Sequence, residues 1–182
     1  SDLIGQAPVI ESKGRMHPVE TIYLESSGRH PDDKALYRQG LNAVKDALRT
    51  QAGDILVFLP GIREIRSVES HLKDLNFDQV IIHPLYGNLS PKEQAAAIEP
   101  SPPGKRKIVL ATAIAETSIT IKGIDTVIDF GRMRLPRFSW KSGMSRLVTL
   151  PVSRASADQR RGRAGRTGPG KCYRLWTTYE HG

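Results

Sequence analysis

The apolar positions of the chain change period along its length, and the changes mark out its elements. Val19 to Leu24 alternates as a strand does. Pro31-Asp32-Asp33 has the composition of a helix start, with Pro suited to the first turn and acids favoured by the dipole. Leu36, Leu41, Val44 and Leu48 then carry an apolar face to about Thr50, and Gly53 ends it. Asp54 to Leu59 contains the unbroken run Ile55-Leu56-Val57-Phe58-Leu59, as expected of a strand buried on both faces of a parallel sheet. Pro60-Gly61 stops it, and Ile62, Ile65, Val68 and Leu72 recur at helical spacing before a short strand at Val80-Ile81-Ile82.

Further on, Ser90-Pro91-Lys92-Glu93 is a capping box with Pro at the first helical position, and the helix it opens ends near Pro100. Lys107 to Ala111 and Thr126 to Phe130 read as strands; the Thr/Ser/Ile-rich 114–124 stretch between them fits a loop with a short helical turn. Arg132 to Phe138 and Ser145 to Leu150 flank a Ser142-Gly143 turn, which predicts a hairpin over about 131–150. Strands alternating with helices predict an α/β fold, a parallel sheet flanked by helices, to which the hairpin is an addition.

Composition narrows the class. The 182 residues suffice for one domain with a real core, and no apolar run approaches the roughly 18 residues of a membrane span. A single cysteine, Cys172, rules out an internal disulfide and a cysteine-rich zinc site, which together with the lack of a signal peptide predicts a cytoplasmic protein without a membrane partner. The net charge of +8 is unevenly spread: residues 130–182 carry 12 Lys/Arg against two Asp/Glu, while residues 1–129 carry 15 against 17. A one-sided basic field of this kind points to a phosphate-rich partner, nucleic acid first.

Four arginines fall within Gln159-Arg160-Arg161-Gly162-Arg163-Ala164-Gly165-Arg166. On a continuous helix Gln159, Arg163 and Arg166 stand at i, i+4 and i+7, within about 60° of one another, with Arg161 on the opposite side. Guanidinium forks match phosphate oxygens, so this stripe suits a phosphate tail. Composition alone fits a solvated charge run or a flexible RNA-binding tail equally well. The setting argues against a tail: Ser153 and Ser156 offer N-caps, and Gly168-Pro169-Gly170 turns into the apolar Cys172 to Trp176. Gly162 and Gly165 weaken the helix by roughly 1 kcal/mol each, which predicts close approach by a ligand or another domain. Gly165 to Cys172 matches a phosphate-binding P-loop except at its last residue, but it follows a helix and precedes a strand, the reverse of the required order.

In this order and spacing the chain resembles the second RecA-like domain of superfamily 2 helicases of the DEAH/RHA group. The resemblance runs from Gly14-Arg15-Met16-His17-Pro18 through Val57-Phe58-Leu59-Pro60-Gly61 (motif IV), Pro84-Leu85-Tyr86-Gly87-Asn88-Leu89 and Ala111-Thr112-Ala113-Ile114-Ala115-Glu116-Thr117-Ser118-Ile119-Thr120-Ile121 (motif V). It continues through Ser153 to Asp158 into the arginine stripe (motif VI). It implies residues 1–18 as a linker from a first RecA-like domain, 19–182 as the second, and ATP with Mg²⁺ held mainly by the first. No P-loop and no Asp-Glu-x-His occur in this chain, so it reads as a fragment inactive by itself.

The resemblance further implies that Gln159, Arg163 and Arg166 face the γ-phosphate, the two arginines as fingers. It puts Ser118 and Thr120 beside the nucleotide, and Gly61 and Thr112 on the nucleic-acid backbone. The hairpin, through Arg134 and Arg137, is expected near the strands. RNA is the implied substrate, with DNA a further option, and C-terminal domains the implied neighbours. The chain departs from the group's usual pattern at Lys122, Ala113 and Ile98. Ile98 stands where many relatives stack an aromatic on adenine, which implies loose nucleotide selectivity. The rival expectation is a stand-alone nucleic-acid-binding module without catalysis.

Overall fold

A computed structural model describes residues 17–23, 32–117, 119–140 and 143–181. The stretch 1–16, Leu24, Pro31, Ser118 and Ser142 lie outside the described residues. Six strands form one parallel sheet: β1 (Val19–Tyr23), β2 (Asp54–Phe58), β3 (Val80–Leu85), β4 (Arg106–Ala111), β5 (Ile124–Asp129) and a strand at Gly170–Arg174, here β8. Their order is β1-β8-β5-β2-β4-β3. A separate antiparallel pair, β6 (Arg132–Ser139) and β7 (Met144–Pro151), makes the predicted hairpin, in register from Arg132↔Pro151 to Ser139↔Met144.

The central strand β2 is buried throughout, and its alternating side chains divide the core in two. Ile55 and Val57 join Leu36, Val44 and Ala47 of α1 (Asp33–Thr50) and Ile65, Val68 and Leu72 of α2 (Ile62–Asp74). Leu56 and Phe58 join Ala97 of α3 (Pro91–Ile98), Ala115 of α4 (Ile114–Thr117) and Ala164, just past α5 (Arg154–Gly162). Local chemistry sets the helix ends. Asp32 caps α1 by accepting from the Ala35 amide at 2.6 Å, and Ser90 and Glu93 form the reciprocal capping box of α3.

Two boundaries differ from those the apolar pattern predicts. β3 runs on to Leu85 through Pro84, because it pairs only with β4 and an edge position tolerates a missing N–H. α5 stops at Gly162, with Arg163 as C-cap, so the arginine stripe is not one helical face. The approach that Gly165 permits comes from the chain's own backbone: a Cβ there would lie 2.7 Å from the His17 carbonyl oxygen and 2.8 Å from Val19 Cγ2. The P-loop look-alike ends in β8, with Cys172 buried and its thiol pushed up to about 12 by that burial.

Candidate nucleotide and nucleic-acid site

All six sheet strands are parallel, so the segments that follow β2, β4, β5 and β8 leave one edge of the sheet together, as at the ligand edge of open α/β folds. Motif IV follows β2, motif V follows β4, and α5 carries the start of motif VI. Ser153 caps α5 by accepting from the Ser156 amide at 3.2 Å. The buried side of α5 consists of Ser156, Ala157 and Arg160. Gln159 is exposed on the other side.

Arg160 is 1% exposed and is the largest fully buried side chain described. Its Nε donates to Glu116 Oε1 at 2.6 Å, its Nη2 pairs with the same oxygen, and its Nη1 donates to Asp129 Oδ1 at 2.8 Å. The guanidinium also lies 4.8 Å from the Phe58 ring centroid. Burial pushes the Asp129 carboxyl up, against the opposing pull of Arg160. Taking one partner from a buried pair of this kind costs about 3–5 kcal/mol. Through Asp158, whose carboxylate accepts from Arg174 Nη2 at 2.7 Å, α5 is tied to the end of β8 as well. Motif spacing gave roles to neither Arg160 nor Arg174. A stripe of small buried residues broken by one arginine was the available signal, since such an arginine requires a carboxylate partner.

Arg163 and Arg166 lie close in sequence but in different surroundings. Arg163 is 5% exposed and donates to the backbone carbonyls of Ile119, at 2.6 Å, and Glu116. Burial, with the Arg166 charge adding to it, lowers its pKa to about 10. Arg166 is exposed, and its Nη1 donates to Thr120 Oγ1 at 2.9 Å. Thus motif VI is laced to the motif V loop over residues 116–120, where Ser118 lies outside the described residues. Lys122 and Ile98, two of the departures from the group's pattern, are neighbours: the Lys122 amide donates to the Ile98 carbonyl at 3.4 Å.

A second group forms at the hairpin root. Gly61 caps α2, and a Cβ on it would collide with Arg134 Nη1. Arg134 Nη2 pairs with Glu64 Oε1 at 2.7 Å, so one of the hairpin's basic residues is balanced by an acid that α2 supplies. This leaves Arg134 half-buried, in a cavity of about 150 Å³ lined also by Tyr37, Pro60 and Phe130. Thr112, half-buried, donates its amide to the Leu85 carbonyl at 3.2 Å. Farther out, Arg137 faces Arg146 directly across the strands, both exposed. Trp140 is 91% exposed, with Phe138 packed edge-on at 5.0 Å. Among the described residues no three His, Cys, Asp or Glu side chains gather as a metal site, and no helix is long and apolar enough to cross a membrane.

Residues 39–168 match the family described as Helicase conserved C-terminal domain. The chain is 45% identical over 168 residues to ATP-dependent RNA helicase HrpB of Escherichia coli (strain K12), covering 92% of this chain and 20% of that protein. It is 42% identical over 178 residues to pre-mRNA-splicing factor ATP-dependent RNA helicase prp22 of Schizosaccharomyces pombe, covering 94% and 15%. The crystal structure of the E. coli DExH-box NTPase HrpB superposes with a TM-score of 0.83 at 43% identity, over 99% of this chain and 22% of that one. The chain thus spans about a fifth or less of the length of these relatives. It belongs to the helicase conserved C-terminal domain family, as a C-terminal RecA-like domain of the DEAH/RHA type.

Proposed function

We propose that the chain is the second motor domain of an ATP-dependent RNA helicase. In this role it supplies Arg163 and Arg166 as arginine fingers, and Gln159 from α5 of the same motif, to ATP held chiefly on a first domain. The observation that carries the reading is the lacing of motif VI to the motif V loop. Arg163 reaches the Glu116 and Ile119 carbonyls, and Arg166 reaches Thr120, across more than 40 residues of sequence, at the edge of a parallel sheet suited to phosphates. Exposed Arg166 keeps guanidinium donors free for a developing phosphate charge, and Ser118 and Thr120 belong to the same loop in sequence. Bound Mg²⁺-ATP would supply the phosphoryl chemistry; the chain's own part is to orient and neutralise.

The nucleic-acid track is assigned to Gly61, Thr112, Arg134 and Arg137. Arg137 opposite Arg146 supports this, because like charges directly across a strand pair destabilise it by roughly 0.2–1 kcal/mol unless an anion lies between them. RNA is the preferred polyanion because both relatives bear that name; DNA binding would rest on the same phosphate contacts. Arg134, already paired with Glu64, serves this track by orienting the hairpin as well as by charge.

The test is ATP turnover in the longer protein with both motor domains. Arg163→Ala and Arg166→Ala should each lower it by about 10³ or more with RNA affinity nearly unchanged, whereas Arg161→Ala should be mild. Equal losses at all three positions would point to a general electrostatic role instead.

A further inference from the structure

Four segments converge on the Arg160 guanidinium. Glu116 comes from the motif V helix, Asp129 from the end of β5, the Arg132 carbonyl from the first residue of the hairpin, at 3.5 Å from Nη1, and the Phe58 ring from the strand that leads into motif IV. The two carboxylate contacts continue outward. The Glu116 carbonyl accepts from Arg163, and its Oε2 accepts from Ser156 Oγ at 2.7 Å. Asp129 Oδ1 accepts the Gly131 amide at 2.8 Å, which fixes the bend from β5 into the hairpin. A buried ion pair is a poor device for stability alone, since apolar residues of similar volume often do as well or better; what it provides is one geometry rather than several. A planar fork with donors in fixed directions can hold two carboxylates and a carbonyl at once, which a lysine ammonium cannot do in the same arrangement.

We propose that Arg160 is a positioning residue that couples ATP hydrolysis to strand separation. Through Glu116 it orients Arg163, and through Asp129 and the Arg132 carbonyl it sets the root of the hairpin, so a shift on one side is transmitted to the other. This rests on the reading above of the arginines and the hairpin. It concerns a side chain that is 1% exposed and enclosed by the chain's own groups.

The experiment uses the longer protein with both motor domains and compares Arg160→Lys and Glu116→Gln with the unaltered protein. Melting temperature, kcat and KM for ATP, and base pairs unwound per ATP are measured. Arg160→Lys should lower kcat about 10- to 100-fold with KM for ATP nearly constant, as misplaced catalytic groups do. The number of base pairs unwound per ATP should fall as well, which a loss of stability alone would not cause in the folded fraction. A folded Arg160→Lys protein with unaltered kcat and unaltered base pairs per ATP overturns the proposal. Should that variant fail to fold, Glu116→Gln, which keeps the shape, is measured in the same way, and unaltered kcat with unaltered base pairs per ATP overturns the proposal there too. Arg163→Ala serves as the reference. If it retains full turnover while Arg160→Lys still loses base pairs per ATP, the finger reading fails and the coupling through Arg160 to the hairpin stands.

Discussion

Replacing Arg163 and Arg166 by alanine, one at a time in the 182-residue chain, should separate two side chains that motif spacing makes look equivalent. Arg163 is buried and satisfies the Glu116 and Ile119 carbonyls; its removal leaves two acceptors of a partly buried loop without that donor. An unsatisfied buried group costs about 1–3 kcal/mol, and two would sum to roughly 4 if nothing relaxed. Loss of a buried cation gives some of this back, because its charge no longer has to be desolvated, as its lowered pKa near 10 indicates. A net loss of about 2 kcal/mol remains. With a urea m-value of about 2 kcal/mol/M for a domain of this size, the unfolding midpoint should drop by about 1 M. Arg166 is exposed with one hydrogen bond to Thr120, and its replacement should change stability by less than about 0.5 kcal/mol. Urea titration followed by circular dichroism measures both. Midpoint shifts of equal size would refute the claim that Arg163 holds the motif V loop.

Gly165→Ala should cost about 1–3 kcal/mol, because its Cβ would press on the His17 carbonyl and Val19; an unchanged midpoint would mean that β1 can shift freely. The Asp46 carboxyl is held below its usual range, first by the Tyr173 hydroxyl at 2.5 Å and then by Arg49. A carboxyl lowered by folding stabilises above its unfolded pKa and loses that contribution as pH falls through the folded value. The unaltered chain should therefore exceed Tyr173→Phe in stability at pH 7, with the gap closing below about pH 4; a gap independent of pH would rule out the carboxylate as its source. Replacing residues 136–147 with a short Gly-Ser turn, leaving Arg134 and Glu64 in place, should preserve ATP hydrolysis in the longer protein. The same change should impair unwinding and flatten the salt dependence of RNA binding, and unchanged unwinding per ATP would mean that the hairpin is structural.

How far the chain could be read in advance depends on the range of the forces involved. The capping box at Ser90, the buried run of β2, the helical turn within 114–124 and the hairpin are set by neighbours a few residues apart, and their positions agree within a residue or two. The order of the strands is not local, and neither is the end of α5. Gln159 to Arg166 keeps helical spacing past Gly162, but Arg163 finds better partners in carbonyls more than 40 residues upstream than in another helical turn. The same limit hid Arg160. Its partners Glu116 and Asp129 are 44 and 31 residues away, and only the folded sheet brings them together. Asp54 is a further case: in sequence it merely leads off an apolar run, yet it is buried and accepts from Ser101 Oγ and the Lys107 amide.

The pairing of β1 with β8 has a consequence for how the domain is made. Tyr23 and Arg174, matched in register, are 151 residues apart, so β1 leaves the ribosome well before its partner strand does. At about 5–20 residues per second, β1 waits roughly 8 to 30 s with its edge unpaired. Meanwhile β2, β3, β4 and β5 can assemble with α1 to α3 on much shorter loops, and the sheet then grows outward through β8 to β1. Because the His17 amide donates to the Gly165 carbonyl and the Gly170 amide to the Pro18 carbonyl, the arginine-bearing segment gains its last supports only when that strand docks. A half-made domain therefore holds the segment bearing Arg163 and Arg166 without the edge strand that steadies it, and that segment reaches its final shape only when β1 docks on β8.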